Sequence, residues 1–248
     1  MSHSDTSHYL ETQHSFSLTM ENIAPEKLTW EPSVCDDIRY RLQVKAEEKD
    51  EESPLMICVV GIPGSGKSTS TSILARMLSD VGAFHMPFDG YHIPMKDLKK
   101  FPNATEVIYR RGAPDTFDAE ALTRDLKLIR SGHDPVLRVP GFDHARGDPE
   151  EGLLEFVRGK HKVVICEGLY LLHDQQDWEK VSKMFDYSIF VDANVDTCME
   201  RLKNRNKVLP GYTPEEVEIR VDLVDRANAL TVLKSKARAK LVVKSAAA

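Results

Sequence analysis

The sequence has few of the features that mark secreted, membrane-spanning or organelle-targeted proteins. Its four cysteines are too scattered across 248 residues for a zinc motif or a disulfide framework. No apolar run approaches the roughly 18 residues of a membrane span, and no basic start precedes an apolar core as in a signal peptide. The first basic residue is Lys27, which argues against a mitochondrial transit peptide. By elimination, we expect a cytoplasmic protein with reduced thiols and no membrane partner.

The sequence also lacks an excess of positive charge. It contains 33 Lys and Arg residues against 39 Asp and Glu residues, for a formal net charge of −6. Nucleic acids and anionic lipids are usually recognised by a basic face, so we expect neither as a partner. The remaining composition, 41% hydrophobic and 29% charged, is typical of a globular protein, and the length suits one α/β domain.

The chain divides into three regions by composition. Residues 1–24 are rich in Ser, Thr and His without a sustained apolar period, which predicts a flexible N-terminal extension. Residues 25–54 combine a predicted helix over 33–48 with an acidic linker over 47–52. Residues 55–245 form the predicted α/β domain, and every motif described below lies within it.

Strand and helix patterns alternate along residues 55–245. Thr213, Pro214 and Glu216 mark one helix start with a capping box. Because parallel strands are joined by crossover helices, the alternation predicts a three-layer α/β sandwich with a central, mainly parallel sheet and helices on both faces. The apolar runs of strand length lie at 55–60, 83–87, 162–166, 187–191 and 240–243.

The strongest motif is a glycine-rich segment between the first strand and the helix after it. Residues 61–68 match G-x-x-x-x-G-K-[ST], the P-loop motif, in the strand-to-helix context that it requires. It predicts a nucleoside triphosphate held by backbone amides and Lys67, with Mg²⁺ on the Ser68 hydroxyl. The phosphoryl acceptor stays open: water, a protein or a small molecule. The predicted nucleotide-binding residues are Gly61, Pro63, Gly64, Ser65, Gly66, Lys67, Ser68 and Thr69.

Two acidic residues lie where predicted strands end. Glu167 directly follows the apolar run 163–166, the Walker B position, where a carboxylate binds Mg²⁺ directly or through water. Asp89 follows the second strand and is expected at the same sheet edge, as general base for the acceptor hydroxyl and as a further metal ligand. The alternatives are a helix cap for Glu167 and an Asp-Gly turn for Asp89.

Further motifs follow the P-loop in order along the chain. They are Asp89-Gly90-Tyr91-His92 and the segments 110–118, 140–144, 167–172 and 200–243. Together these motifs resemble the phosphoribulokinase/uridine kinase family over roughly residues 55–244, and the closest branch is similar to pantothenate kinase-like and bacterial fructose kinase-like proteins. The resemblance implies a P-loop fold with a small helical lid. It also implies an ATP- and Mg²⁺-dependent kinase that phosphorylates a hydroxyl of a small metabolite.

The resemblance implies roles for individual residues as well. Asp89 matches the family's base and Glu167 its Walker B carboxylate. Arg205, and after it Arg201, matches a lid-helix arginine that approaches the transferring phosphoryl group, with an exposed helix charge as the alternative. Asn228 matches a residue near the nucleotide. The residues implied in acceptor binding are Tyr91, His92, Arg110, Arg111, Phe142, Asp143 and His144, with surface ion pairs as the alternative for Arg110 and Arg111.

Other functions fit parts of the same pattern. A regulatory GTPase would need an Asn-Lys-x-Asp motif, and the nearest segment, 206–209, lacks the Asp. A P-loop ATPase, or a nucleotide-binding module without a small-molecule acceptor, is the main alternative to a kinase. Among acceptors we rank fructose-like sugars first, then sugar acids, pantothenate-like alcohols and nucleosides. We expect a monomer or a homodimer.

Overall fold

The computed structural model describes residues 29–47, 53–175, 177–207 and 213–245. The predicted flexible extension at 1–24 and most of the acidic linker lie outside the described residues. Within the described ranges, no helix is long and apolar enough to span a lipid bilayer.

Two sheets are formed by the described residues. Five parallel strands make the central sheet in the order β2-β5-β1-β6-β7, and β3 pairs with β4 as a separate antiparallel hairpin. The strands are β1 (Leu55–Gly61), β2 (Ala83–Pro87), β3 (Val136–Asp143), β4 (Asp148–Val157), β5 (Val163–Gly168), β6 (Tyr187–Asp192) and β7 (Leu241–Lys244).

Helices connect the central strands, as parallel pairing requires. Short 3₁₀ turns lie at Ser79–Val81, Phe88–Tyr91, Pro114–Thr116 and Lys236–Arg238, and a π-helical segment, Val221–Asp225, joins the last two α-helices. The α-helices of the described residues are α1 (Glu31–Glu47), α2 (Lys67–Met77), α3 (Met95–Leu98), α4 (Ala104–Tyr109), α5 (Ala119–Ser131), α6 (Trp178–Ser182), α7 (Val195–Asn206), α8 (Pro214–Arg220) and α9 (Arg226–Leu233).

Side chains of β1 alternate between two hydrophobic clusters on opposite faces of the sheet. Ile57 and Val59 pack with α1 and α2, whereas Cys58 and Val60 pack with residues of α5, α7 and the chain after β5. Every residue of β1 and β5 is buried, which explains their nearly continuous apolar sequence. The predicted three-layer α/β sandwich with a parallel central sheet is confirmed.

The capping box that the sequence predicts at one helix start is also present in the structure. The Thr213 hydroxyl accepts a hydrogen bond from the Glu216 amide at 3.2 Å, and the Glu216 carboxylate accepts one from the Thr213 amide at 2.8 Å. This is the capping box predicted for the start of α8. The helix expected over 33–48 is α1, which begins two residues earlier, at Glu31.

The β3–β4 hairpin was not foreseen from the sequence. Its strands pair from Val136 with Val157 to Asp143 with Asp148, and the register shifts between Val139 and Gly141. The hairpin packs against the turn that follows β2. The antiparallel pair therefore lies beside the carboxyl edge of the central sheet.

Candidate active site

The P-loop connects the carboxyl end of β1 to the first turn of α2. Gly64 and Gly66 have positive φ angles of 79° and 82°, a conformation that glycine adopts readily. A Cβ atom on Gly64 would lie 2.7 Å from the carbonyl oxygen of Cys198, whereas one on Gly66 would meet no atom within 4 Å. Close packing therefore requires Gly64, while Gly66 borders open space before the helix N-terminus.

This loop has the properties of an anion-binding site. The N-terminus of α2 presents unpaired amides and a positive potential. Ser65 is only 1% exposed, yet its Oγ has no hydrogen-bond partner in the described structure. A buried hydroxyl without a partner is costly unless a bound group satisfies it. The loop geometry and this hydroxyl therefore fit a bound phosphate.

Glu167 is the penultimate residue of β5, one position further inside the strand than the sequence suggested, and β1 and β2 flank it. Its side chain is buried. Burial raises the pKa of Glu167; the Lys67 charge lowers it, the Asp89 charge raises it and a hydrogen bond from the Ser68 hydroxyl lowers it. These four groups therefore lie close enough to share one electrostatic environment.

The Glu167 side chain fits a metal-binding role. Its Oε2 is buried and has no hydrogen-bond partner in the described structure. In the described ranges, no three His, Cys, Asp or Glu side chains form a metal cluster by themselves. Mg²⁺ prefers oxygen ligands and commonly takes several of them from water and substrate phosphates. Ser68 and Glu167 therefore suit a Mg²⁺ shared with a nucleotide, and the role of Asp89 as a further ligand stays a prediction.

The turn that carries Asp89 is fixed by two glycines. A Cβ atom on Gly90 would lie 2.5 Å from the carbonyl oxygen of Pro140, and one on Gly168 would lie 2.4 Å from the ring of Phe88. Phe88 is buried and stacks on Phe117, with ring centroids 4.4 Å apart. The hairpin and β5 therefore hold the backbone of Asp89 from two sides.

Gly168→Ala should displace this turn. The added methyl group would collide with Phe88, so we expect a loss of about 1–3 kcal/mol in the free energy of unfolding and a fall in phosphoryl-transfer turnover. Chemical denaturation and steady-state kinetics measure the two effects. Lys127→Ala is the control, because Lys127 is an exposed residue of α5. Wild-type stability and turnover in Gly168→Ala would show that the packing of Phe88 does not position Asp89.

His92 closes the same turn. Its Nδ1 lies 2.9 Å from the carbonyl oxygen of Asp89, and since a carbonyl only accepts, Nδ1 donates and Nε2 is left as an acceptor. The ring contacts Phe117 and Phe142, with centroids 3.9 and 5.2 Å away. Burial lowers the pKa of His92, opposed mainly by the nearby Asp89, so the ring is neutral near pH 7. His92 therefore offers a hydrogen-bond acceptor beside the predicted base.

The predicted acceptor residues of the hairpin lie at its tip. Phe142 is half-buried between His92 and His144, and its ring centroid is 5.2 Å from each of theirs. Asp143 accepts hydrogen bonds from the amides of Ala145 and Arg146, which shape the turn, and His144 is exposed. Their roles in acceptor binding stay predictions.

The two predicted acceptor arginines are engaged by carboxylates. Arg110 forms ion pairs with Asp115 and Glu106. Arg111, whose side chain is 12% exposed, donates to Asp148 at 2.6 Å. Intramolecular ion pairing, the alternative weighed for both residues, is therefore present in this structure.

Tyr91, two residues after the predicted base, is held by a buried carboxylate. Its hydroxyl donates to the buried Asp125 at 2.9 Å, and its ring lines a cavity of about 490 Å³. That cavity is bordered by Phe117 and Trp178 and includes neither Asp89 nor any P-loop residue. Whether Tyr91 contacts an acceptor stays a prediction.

The two arginines predicted to act from a lid, Arg201 and Arg205, occupy different environments on α7. Burial raises the pKa of the Cys198 thiol, and the charges of Arg201 and Lys67 lower it, so both cations lie near the P-loop face of the helix. Arg205 is exposed, donates to Asn206 at 3.2 Å and acts electrostatically on Asp225. Arg201 therefore lies near the P-loop before any movement of the helix.

Asn228 is buried in α9, and a Cβ on Gly112 would lie 3.4 Å from its Nδ2. The hydroxyl of Tyr170 donates to the carbonyl oxygen of the same glycine at 2.7 Å. The structure thus places Asn228 beside the turn that follows Arg110 and Arg111, and its predicted contact with the nucleotide stays untested.

Asp148 was missed by the sequence reasoning. It accepts hydrogen bonds from Arg111 and from the amide of Met95, at 3.0 and 3.2 Å for the two carboxylate oxygens, and so joins the hairpin to the segment after β2. No local sequence signal marks it, because Asp148 opens a strand whose first residues, Pro149 to Gly152, are not apolar.

The phosphate-binding loop, its lysine and serine, and the two carboxylates at adjacent strand ends define a P-loop enzyme of the kinase class. A sequence model described as the Phosphoribulokinase / Uridine kinase family matches residues 56–247, and the chain belongs to this family. The protein is therefore a phosphotransferase with an alcohol group as acceptor.

Individual relatives agree with this assignment. A Schizosaccharomyces pombe protein provisionally named a uridine kinase is 32% identical over 186 residues, which cover 73% of this chain and 79% of the relative. The pantothenate kinase of Bacillus subtilis is 34% identical over 151 residues, 56% of this chain and 46% of the relative. A crystal structure from Silicibacter sp. TM1040, provisionally described as a fructose transport system kinase, has a TM-score of 0.74 and 29% identity, and covers 87% of this chain and 99% of that one.

Proposed function

We propose that this enzyme transfers the γ-phosphoryl group of ATP to a hydroxyl of a small metabolite, of the sugar, sugar acid, pantothenate-like alcohol or nucleoside class. The observation that supports it most is the convergence of Lys67, Ser68, Glu167 and Asp89 at one edge of the sheet. The names of the relatives, which include uridine, pantothenate and fructose-system kinases, point to the same acceptor classes.

Each side chain has a role in this proposal. Mg²⁺ bound with ATP would offset negative charge on the β- and γ-phosphates. Asp89 accepts the proton of the acceptor hydroxyl as its oxygen forms the new bond to phosphorus and the bond to the ADP oxygen breaks. Lys67 and the P-loop amides hold the phosphates in line with the acceptor. Glu167 and Ser68 would hold the metal.

The alternative is an ATPase or a nucleotide-binding module without a small-molecule acceptor. A screen of ADP release with and without several dozen hydroxylated metabolites distinguishes the two. For a kinase, we expect slow release with ATP alone and a rise of at least about tenfold when an acceptor fills the site, because catalysis depends on positioning. Rapid release that no metabolite alters would support the ATPase.

Lys67→Ala should weaken both nucleotide binding and turnover. Lys67 is the cation adjacent to Glu167 and Ser68, and it would contact phosphates in the ground and transition states. We expect kcat/KM for ATP to fall by about 10²- to 10³-fold, as for the loss of a transition-state donor. Titration with Mg·ATP and steady-state kinetics measure both effects.

Lys127→Ala is the control, because Lys127 is an exposed residue of α5. If Lys67→Ala bound and used ATP like the wild type, the P-loop would not be the nucleotide site.

A further inference from the structure

The two arginines that the sequence resemblance assigns to acceptor binding, Arg110 and Arg111, are both held by carboxylates. The guanidinium of Arg110 donates through both terminal nitrogens to the carboxylate of Asp115, and through Nε to Glu106 at 3.2 Å. The bidentate geometry is the one that a guanidinium would otherwise use to bind a carboxylate or phosphate of a substrate. An acidic acceptor would have to compete with Asp115 for the same fork.

Arg111 is also paired, and its side chain is more shielded from solvent than that of Arg110. Its terminal nitrogens donate to the Asp148 carboxylate at 2.6 Å, to the Gly147 carbonyl oxygen at 2.6 Å and to the Ile93 carbonyl oxygen at 3.4 Å. Its side chain is 12% exposed, and that of Asp148 is 29% exposed. Separating a shielded ion pair is unfavourable because it leaves a carboxylate without its cation. An acidic acceptor that took Arg111 from Asp148 would have to offset that cost.

Two further acidic groups lie near the turn. Asp115 and Glu106 pair with Arg110 and Asp148 pairs with Arg111, which leaves Asp89, the proposed base, and Asp143 at the hairpin tip without an arginine from this pair. Asp143 pairs with Arg146, whose Nε is 4.0 Å away and whose side chain is 75% exposed, so solvent screens this pair. Lys67, the cation in the same environment as Asp89, binds the nucleotide phosphates in the proposed function, so a negatively charged acceptor would approach Asp89 and Asp143 without a cation of its own.

The groups on this side suit hydroxyls instead. Carboxylates only accept hydrogen bonds, so Asp89 and Asp143 match the donor of an alcohol. The ring of Phe142 lies beside His92 and offers an apolar surface to the carbon skeleton of a polyol.

Resting on the proposed kinase function, we propose that the acceptor is an uncharged polyhydroxylated compound, of the sugar or polyol class, and that Asp148 and Asp115 determine this specificity by occupying the two arginines. Sugar acids and pantothenate-like carboxylates are thereby disfavoured.

Matched pairs of acceptors that differ in charge test this proposal. We would measure kcat/KM by ADP release for glycerol against glycerate, pantothenol against pantothenate, and glucose and fructose against gluconate. The neutral member of each active pair should be preferred by at least about tenfold, the size of effect expected from one charged contact. Preference for the acidic member in wild-type protein would overturn the proposal but not the kinase assignment, whereas no activity with any compound, neutral or acidic, would overturn both.

Variants that remove the carboxylate partners of the two arginines provide a second test of the proposal. Asp148→Asn and Asp115→Asn should each shift the ratio of acidic to neutral acceptor use toward the acidic member, by about tenfold or more, while KM for ATP stays the same. Asp80→Asn is the matched control, since Asp80 pairs with Arg39 on the side of the molecule that contacts α1. Asp115 is 47% exposed, so its variant is expected to fold even if Asp148→Asn does not. An unchanged ratio in a folded Asp115→Asn variant and in Asp148→Asn would contradict the proposal.

Discussion

Asp89→Asn should lower turnover by about 10²- to 10⁴-fold and leave ATP affinity nearly unchanged. An asparagine keeps the size of the side chain but cannot accept the proton of the acceptor hydroxyl, and loss of a general base has an effect of this size. Steady-state kinetics at saturating acceptor give kcat, and calorimetric titration with Mg·ATP gives the dissociation constant. A fall in kcat at constant affinity is the signature of a group that acts on the acceptor.

The control for this variant is Asp97→Asn. Asp97 also follows β2, but its carboxylate pairs with Lys100. We expect turnover close to that of the wild type. If Asp89→Asn kept wild-type turnover, Asp89 would have no part in the proton transfer. Its role would then be structural, in the Asp-Gly turn.

Arg205→Ala should reduce turnover by about 10³- to 10⁵-fold, the range found for arginines that stabilise the transferring phosphoryl group in P-loop enzymes. Arg205 is exposed at the end of α7, so closure of this helix over the P-loop would be needed to bring it to the phosphates. Arg201 lies near Lys67 without such a movement.

The pair of variants Arg201→Ala and Arg205→Ala separates the two candidates, with Arg138→Ala as a control on the exposed far part of the hairpin. A large loss of kcat in Arg201→Ala, together with near-normal turnover in Arg205→Ala, would assign the role to Arg201. Normal turnover in both would remove the lid arginines from the mechanism.

The central sheet and the phosphate cradle could be predicted because local sequence encodes them. The apolar run of β1 has to be buried on both faces, and the P-loop glycines next to it permit the close approach to Cys198 and the positive φ angles. Parallel strand order then brings the carboxyl ends of β1, β2 and β5 together. This is why Asp89 and Glu167 could be placed near Lys67 from sequence position alone.

The acceptor side could not be predicted in the same way, because its contacts join distant segments. Arg111 pairs with Asp148, which lies on the β3–β4 hairpin. The strands of this hairpin lack a clear apolar alternation, and no local propensity specifies the pair. Likewise, Asn228 comes to lie beside Gly112 only through the packing of α9. The positions of the motifs therefore indicated which segments form the candidate site, but not which residues their side chains contact.

The central claim is that the backbone from Gly61 to Ser68 wraps a triphosphate while Asp89 and Glu167 approach its terminal phosphate from neighbouring strand ends. A crystal structure with Mg²⁺ and a non-hydrolysable ATP analogue tests it most directly. We expect phosphate oxygens within hydrogen-bond distance of the loop amides and Lys67, and the metal between Ser68 and Glu167. A nucleotide bound elsewhere, or with its terminal phosphate remote from both carboxylates, would contradict it.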